Sequence, residues 1–155
     1  MTLHICKVTD ENWNEIANLK VTGEQLACIE STVSECLVDA DTKYKGEAAS
    51  VGFYDGDMPI GYAMYGWFEE KEKAVYLNQF MIDSNCQGKG YAKTLLRLLI
   101  DYLQKEYDRK VIYLSIHPEN KLAQKLNESI GFHLTGEIEG EWINGKGFIM
   151  KRILN

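Results

Sequence analysis

The residues best suited to chemistry sit together in "QGKGYA", Gln87 to Ala92. Gly88 and Gly90 carry no Cβ, so their backbone N–H groups can approach a ligand closely. If a helix begins here, those amides and the positive end of its dipole make a cradle for a pyrophosphate. Lys89 adds a point charge. The letters fail two familiar nucleotide motifs. A Walker A loop needs Ser or Thr after Gly-Lys, whereas Gly90 follows Lys89 and Asp83 stands where the first Gly belongs. A dinucleotide fingerprint needs a third Gly where Lys93 stands. The competing reading is a plain tight turn before a helix.

The flanking chain favours the cradle. "YLNQFMID" before the loop reads as a strand, and Ala92, Leu95, Leu96, Leu99, Tyr102 and Leu103 after it describe an amphipathic helix from Tyr91 to about Tyr107. "VIYLSI" then reads as another strand. This β-α-β crossover makes the two strands parallel and puts the helix N-terminus at their carboxyl ends, where ligands collect.

Around this unit, "LHICKV" predicts a first strand, and Thr9 or Asp10 a cap for a short helix through "NWNEIANL". Leu26, Ile29, Val33, Leu37 and Ala40 make the apolar stripe of a second helix. "AASVGFYD", "MPIGYAMYGWF" and "AVYLNQFMID" read as antiparallel strands joined by the turn "DGD" and the solvated tip "EEKEK". Leu122, Leu126 and Ile130 mark a last helix stopped by Gly131, and a hairpin around "NGKG" closes the chain.

The 155 residues suit one domain, 1–155. Apolar residues at 45% and charged residues at 26% indicate a globular chain. A net charge of −6 argues against nucleic acid as the main partner and is compatible with a cationic one. No secretory signal is legible, and "LLRLLI" is too short to cross a membrane. Cys6, Cys28, Cys36 and Cys86 form no metal-ligand spacing; four reduced thiols in a cytoplasmic protein are expected, with no metal.

Two motifs together carry a resemblance. "QGKGYA" resembles the Q/R-x-x-G-x-G/A signature of the GNAT superfamily of N-acetyltransferases. "NKLAQKLNESIGF", Asn120 to Phe132, resembles that superfamily's second signature, N-x-x-A-x-x-L-Y-x-x-x-G-F. Element order is similar over essentially the whole chain. "QLACIEST", "GYAMYGWF" and "IYLSI" look closest to the bacterial spermine/spermidine (diamine) N-acetyltransferases. The resemblance implies an α/β (α+β) fold: a mixed, mostly antiparallel seven-stranded sheet, about four helices, and parallel fourth and fifth strands that splay apart. It further implies direct acetyl transfer from acetyl-CoA to a primary amine of a small polycation such as spermidine or spermine. The pantetheine arm would pair with Phe80, Met81 and Ile82. The pyrophosphate would rest on Gln87, Gly88, Lys89, Gly90, Tyr91 and Ala92, with Asn120 as a further cofactor contact. A homodimer is also suggested by the resemblance. Acetylation of another amine, such as an aminoglycoside or a peptide N-terminus, is the alternative within enzymes; a non-catalytic acyl-CoA sensor is the alternative outside them.

The chemistry needs a neutral amine. With an amine pKa near 10.4, the free base at pH 7 is about 1 part in 2,500, a cost of about 4.6 kcal/mol. A positioned base is the usual remedy, whereas the departing thiolate, of pKa near ~8.5, needs little help. The sequence departs from the family at both places. Asn127 replaces the usual Tyr acid, and Asn78 replaces the Glu common in polyamine acetyltransferases. Neither amide titrates, so no catalytic acid or base is assigned. Glu30, at the edge of its helix's apolar arc, is a candidate for pairing with a substrate ammonium; the alternative is an acid reaching solvent. His117, at the end of the fifth strand, is a weak candidate base, against a structural role before Pro118. Asn78 and Glu139 complete the expected substrate side. Glu139 alternates with Glu137 and Glu141 on a strand whose simplest reading is a solvated face. Tyr65, Trp67 and Tyr76 are expected in the core.

Overall fold

The computed structural model describes residues 2–20, 37–38, 46–88, 90–142 and 145–154, with backbone alone at 139–142 and 145–146. Seven strands, β1 (Leu3–Lys7), β2 (Ala48–Asp55), β3 (Met58–Glu69), β4 (Ala74–Ile82), β5 (Val111–Ile116), β6 (His133–Trp142) and β7 (Gly145–Ile153), form one sheet in the order β1-β2-β3-β4-β5-β7-β6. All neighbours are antiparallel except β4 and β5, which are parallel. Three helices are described: α1 (Trp13–Ala17), α2 (Tyr91–Tyr107) and α3 (Lys121–Ser129). Of the second helix expected from sequence, Leu37 and Val38 are helical and the rest lies outside the described residues.

The sheet separates two apolar clusters. The larger holds Val51, Phe53, Tyr65, Val75, Leu77, Ile112, Leu114 and Ile116 under the buried stripe of α2, Leu95, Leu96, Leu99 and Leu103. Residues of α3 pack against this face too, through Ala123 and Leu126. The smaller cluster, on the opposite face, joins Ile16 and Leu37 to Tyr62, Met64 and Met81. Each buried Leu of α2 contributes about 2 kcal/mol of transfer free energy, enough to hold a 17-residue helix against the sheet.

Two sequence expectations are corrected in detail. The N-cap of α1 is Asn12, not Thr9 or Asp10; the Asn12 carbonyl oxygen of the side chain accepts from the Thr9 N–H at 2.7 Å and so builds the turn before the helix. Leu122 does not mark the buried face of α3, being 84% exposed, because that face is Ala123, Leu126, Asn127 and Ile130 and Leu122 lies round the helix from it. The "EEKEK" tip is also more than a solvated turn. Glu70 reaches Arg109 at 3.1 Å, and Arg109 is buried, donating to the carbonyls of Tyr107, Glu69 and Ala74.

Candidate active site

The site starts from an extra residue. Across the β3–β4 ladder Met64 faces Gln79 and Tyr65 faces Leu77, so Asn78 is left without an opposite number and forms a β-bulge. A one-residue bulge reverses the alternation of side chains. Val75 and Leu77 lie in the α2-side core before it, and Phe80 and Ile82 pack on that same side after it. Without Asn78 those places would go to Gln79 and Met81.

The bulge coincides with a fork. The β4–β5 ladder runs from Ala74↔Val111 to Leu77↔Leu114 and stops, although both strands continue. Between the diverging strands opens a cleft of about 120 Å³, lined by Asn78, Phe80, Ser115, His117, Asn120 and Asn127 among others. Its largely apolar walls, with a few polar groups, and its unpaired β4 edge suit an extended ligand arm.

Which residues of β4 face that edge follows from one close approach. A Cβ on Gly61 would meet the Met81 carbonyl oxygen at 2.7 Å, so Met81 aims its backbone at β3. By alternation Phe80 and Ile82 aim theirs into the fork. The Ile82 carbonyl already accepts from the Gln87 side chain at 2.9 Å. Of the three residues expected to pair with a pantetheine arm, Phe80 is therefore the one whose backbone faces the fork with its carbonyl uncommitted by Gln87, and Met81 faces the other way.

Past β4 the chain is pinned before it reaches the glycines. Asp83 accepts from the N–H groups of Lys20 and Asn85 at 2.8 and 3.2 Å, and its own N–H donates to Ile60 at 2.8 Å. Gly88 and Gly90 then take left-handed conformations, with φ of +77° and +81°. Gly90 is the N-cap of α2 and supplies no side chain to satisfy the first turn, leaving its amides directed outward. A Cβ at either glycine would meet nothing within 4 Å, so the space over the loop is open. Tyr91 turns its ring inward, its hydroxyl donating to Asp55 at 3.0 Å, and Ala92 packs on the core; both offer the loop their backbone. Lys89 lies outside the described residues.

Asn120 caps α3, its side-chain oxygen accepting from the Ala123 N–H at 3.1 Å, which leaves its NH₂ for a ligand in the cleft. Asn127 is buried, and its NH₂ is directed at the Met150 sulfur at 3.8 Å. His117 is buried with Nδ1 accepting from the Glu119 N–H at 3.1 Å. That bond engages the Nδ1 lone pair, so Nδ1 is not free to act as a base toward the cleft. Glu139 lies on β6 opposite Gly147, two strands away from β5, or about 10 Å at ordinary strand spacing. Glu30 lies outside the described residues. Tyr65 packs in the core as expected, whereas Tyr76 is half-buried and belongs to neither apolar cluster. Tyr65 is buried against Tyr107, 2.9 Å between hydroxyls, while Tyr76 stacks on Tyr113 and Trp67 packs against the smaller cluster.

Sequence reasoning missed Ser115. Its Oγ is shut off from solvent and meets no hydrogen-bond partner among the described residues. The signal was a lone hydroxyl inside the apolar run "VIYLSI", at the position where the ladder ends. An open glycine cradle and a free strand edge are both features that an acyl-CoA would complete.

The comparisons agree with that chemistry. The model of the acetyltransferase (GNAT) family matches residues 13–132. The spermine/spermidine N(1)-acetyltransferase of Bacillus subtilis is 39% identical over 158 residues, covering 99% of this chain and all of the relative. Spermidine N-acetyltransferase from Vibrio cholerae, solved with CoA and spermine, superposes with a TM-score of 0.79 at 22% identity, over 98% of this chain and 95% of that one. Bulge, fork, glycine loop and full-length similarity lead to one assignment: the chain belongs to the GNAT acetyltransferase family.

Proposed function

We propose that this enzyme transfers an acetyl group from acetyl-CoA directly to a primary amine of spermidine or spermine. The observation that carries the reading is the full-length similarity to a bacterial polyamine acetyltransferase, joined to a cleft that opens where β4 and β5 part. Acetyl-CoA supplies an activated acyl group on a thiol leaving group. Gly88, Gly90, Tyr91 and Ala92 hold its diphosphate through backbone N–H groups, Phe80 pairs with the arm, and Asn120 donates from the start of α3. Gln87 braces the loop by tying it to Ile82. Lys89 adds charge beside the diphosphate.

On the acceptor side Asn78 borders the fork. Glu30 pairs with a distal ammonium, on the strength of its place at the margin of the expected helical stripe that includes Leu37, itself buried on the face opposite α2. Glu139 contributes acidic potential at most from a distance. With net charge −6 the molecule attracts a polycation and repels nucleic acid. The whole chain acts as one domain in the cytoplasm, paired as a homodimer. No helix among the described residues is long and apolar enough to cross a membrane.

The test is thiol release from acetyl-CoA across spermine, spermidine, an aminoglycoside and a peptide amine. Turnover is expected with the first two. Indifference to polyamines beside rapid use of another amine would replace the substrate, and binding of acetyl-CoA without thiol release at any pH would replace the enzyme by a sensor, which the two amides Asn78 and Asn127 favour. Glu30→Gln should raise the polyamine KM and leave CoA affinity alone.

A further inference from the structure

The fork has two lips. Leu77↔Leu114 is the last rung of the parallel ladder, so Asn78 and Ser115 are the first residues beyond it on either strand. Leu114 and Ile116 point into the core under α2. Ser115, between them, points to the opposite face of the sheet. The glycine loop and α2 lie on the first face, and α3 packs there as well. An acyl donor held by that loop therefore reaches the fork from the α2 side. The acceptor must approach from the other, which is the side of Ser115.

The hydroxyl of Ser115 is buried and unpartnered among the described residues. Such a group costs about 1–3 kcal/mol until something hydrogen-bonds it. On the α3 side, the Asn127 amide is directed at Met150. We propose that Ser115 contacts the acceptor: its Oγ accepts a hydrogen bond from an N–H of the neutral attacking amine and holds the nitrogen lone pair toward the acetyl carbon. This rests on the acetyltransferase reading above. A C–N bond forms and the C–S bond breaks; the amine's proton leaves to solvent water and the thiolate takes one up. Ser115 orients the nucleophile and undergoes no net protonation change.

The experiment compares wild type with Ser115→Ala and Ser115→Thr, on spermidine and on a second amine accepted by wild type. Loss of the contact should lower kcat/KM for the amine by about 10- to 100-fold in Ser115→Ala. The acetyl-CoA KM should stay within about twofold, since the contact is to the other substrate. The alanine variant should melt no lower than wild type, because it discards an unsatisfied hydroxyl. Ser115→Thr, which keeps the hydroxyl, should retain most of the activity. An alanine variant with unchanged kcat/KM, one that loses acetyl-CoA affinity instead, one that melts markedly lower, or one matched in activity by the threonine variant overturns the assignment. If wild type ignores spermidine but uses the second amine, the polyamine reading fails while Ser115 is still judged on that amine. A wild type that acetylates nothing overturns both.

Discussion

The Tyr91 hydroxyl donates to the Asp55 carboxylate at 3.0 Å, tying the β2–β3 turn to the first turn of α2, directly behind Gly90. The same carboxylate accepts from the Thr2 N–H at 2.9 Å. The Thr2 amide, then Tyr91, hold Asp55 below the usual carboxylate range, and Asp55 in turn pushes the Tyr91 hydroxyl up. A depressed folded pKa means that the carboxylate's contribution is complete above its unfolded value and fades as pH falls through the folded one. Asp55→Asn should therefore lower Tm at pH 7, and the gap to wild type should close in strong acid. A gap of constant size from neutral pH to acid would show that ionisation of Asp55 is irrelevant to the anchor.

Gly90 adopts a left-handed conformation with room for a Cβ, so a substitution there strains the backbone without a clash. An L-residue in that region costs about 1–2 kcal/mol. Gly90→Ala should lose stability by that amount and weaken CoA binding, measured by calorimetry, by about tenfold as the first-turn amides shift. Unchanged CoA affinity in a folded variant would remove the loop from the site.

Arg109 is a purely structural cation. It donates to Tyr107 at 2.8 Å and to Ala74 at 3.2 Å, pairs with Glu70, and lies 5.4 Å from the Phe68 ring centre. These contacts fasten the end of α2 to the start of β4, the closed end of the fork. Arg109→Ala leaves buried carbonyls unsatisfied and should cost about 3 kcal/mol, read as a lower denaturation midpoint at constant m. The kcat at a temperature where the variant is folded should hold, because the site lies at the open end.

The elements of the sheet were legible because their patterns were local. The run "VIYLSI" is β5 and the apolar spacing from Tyr91 to Tyr107 is α2, residue for residue. The glycine loop was legible because only Gly tolerates positive φ twice in three residues. The bulge was not, since Asn78 is bulged only relative to its register against Met64 and Tyr65, which no local window contains. Ser115 was missed for a related reason. A single hydroxyl in a strand means little until the neighbouring ladder is known to stop beside it. The engagement of His117 Nδ1 was not legible either, because it depends on the backbone turn at Glu119.

The engagement of His117 Nδ1, with the non-titrating amides of Asn78 and Asn127, leaves no base assigned in the described lining of the cleft. The free-base fraction of the substrate then limits the rate. Between pH 7 and 9 the kcat/KM for a polyamine should rise about tenfold per unit, because that fraction does so below a pKa near 10.4. Asn127→Leu should change kcat by less than about threefold, since its NH₂ is directed at Met150 rather than at a proton in transit. Asn78→Glu would place a carboxylate at the lip of the fork, where the bulge already exposes residue 78. It should raise kcat/KM at pH 7 and flatten the profile, with a ceiling set by the roughly 10²–10⁴-fold that a positioned base contributes. A wild-type profile already flat from pH 7 upward would mean that a base outside this lining does the work, and the glutamate would then add nothing.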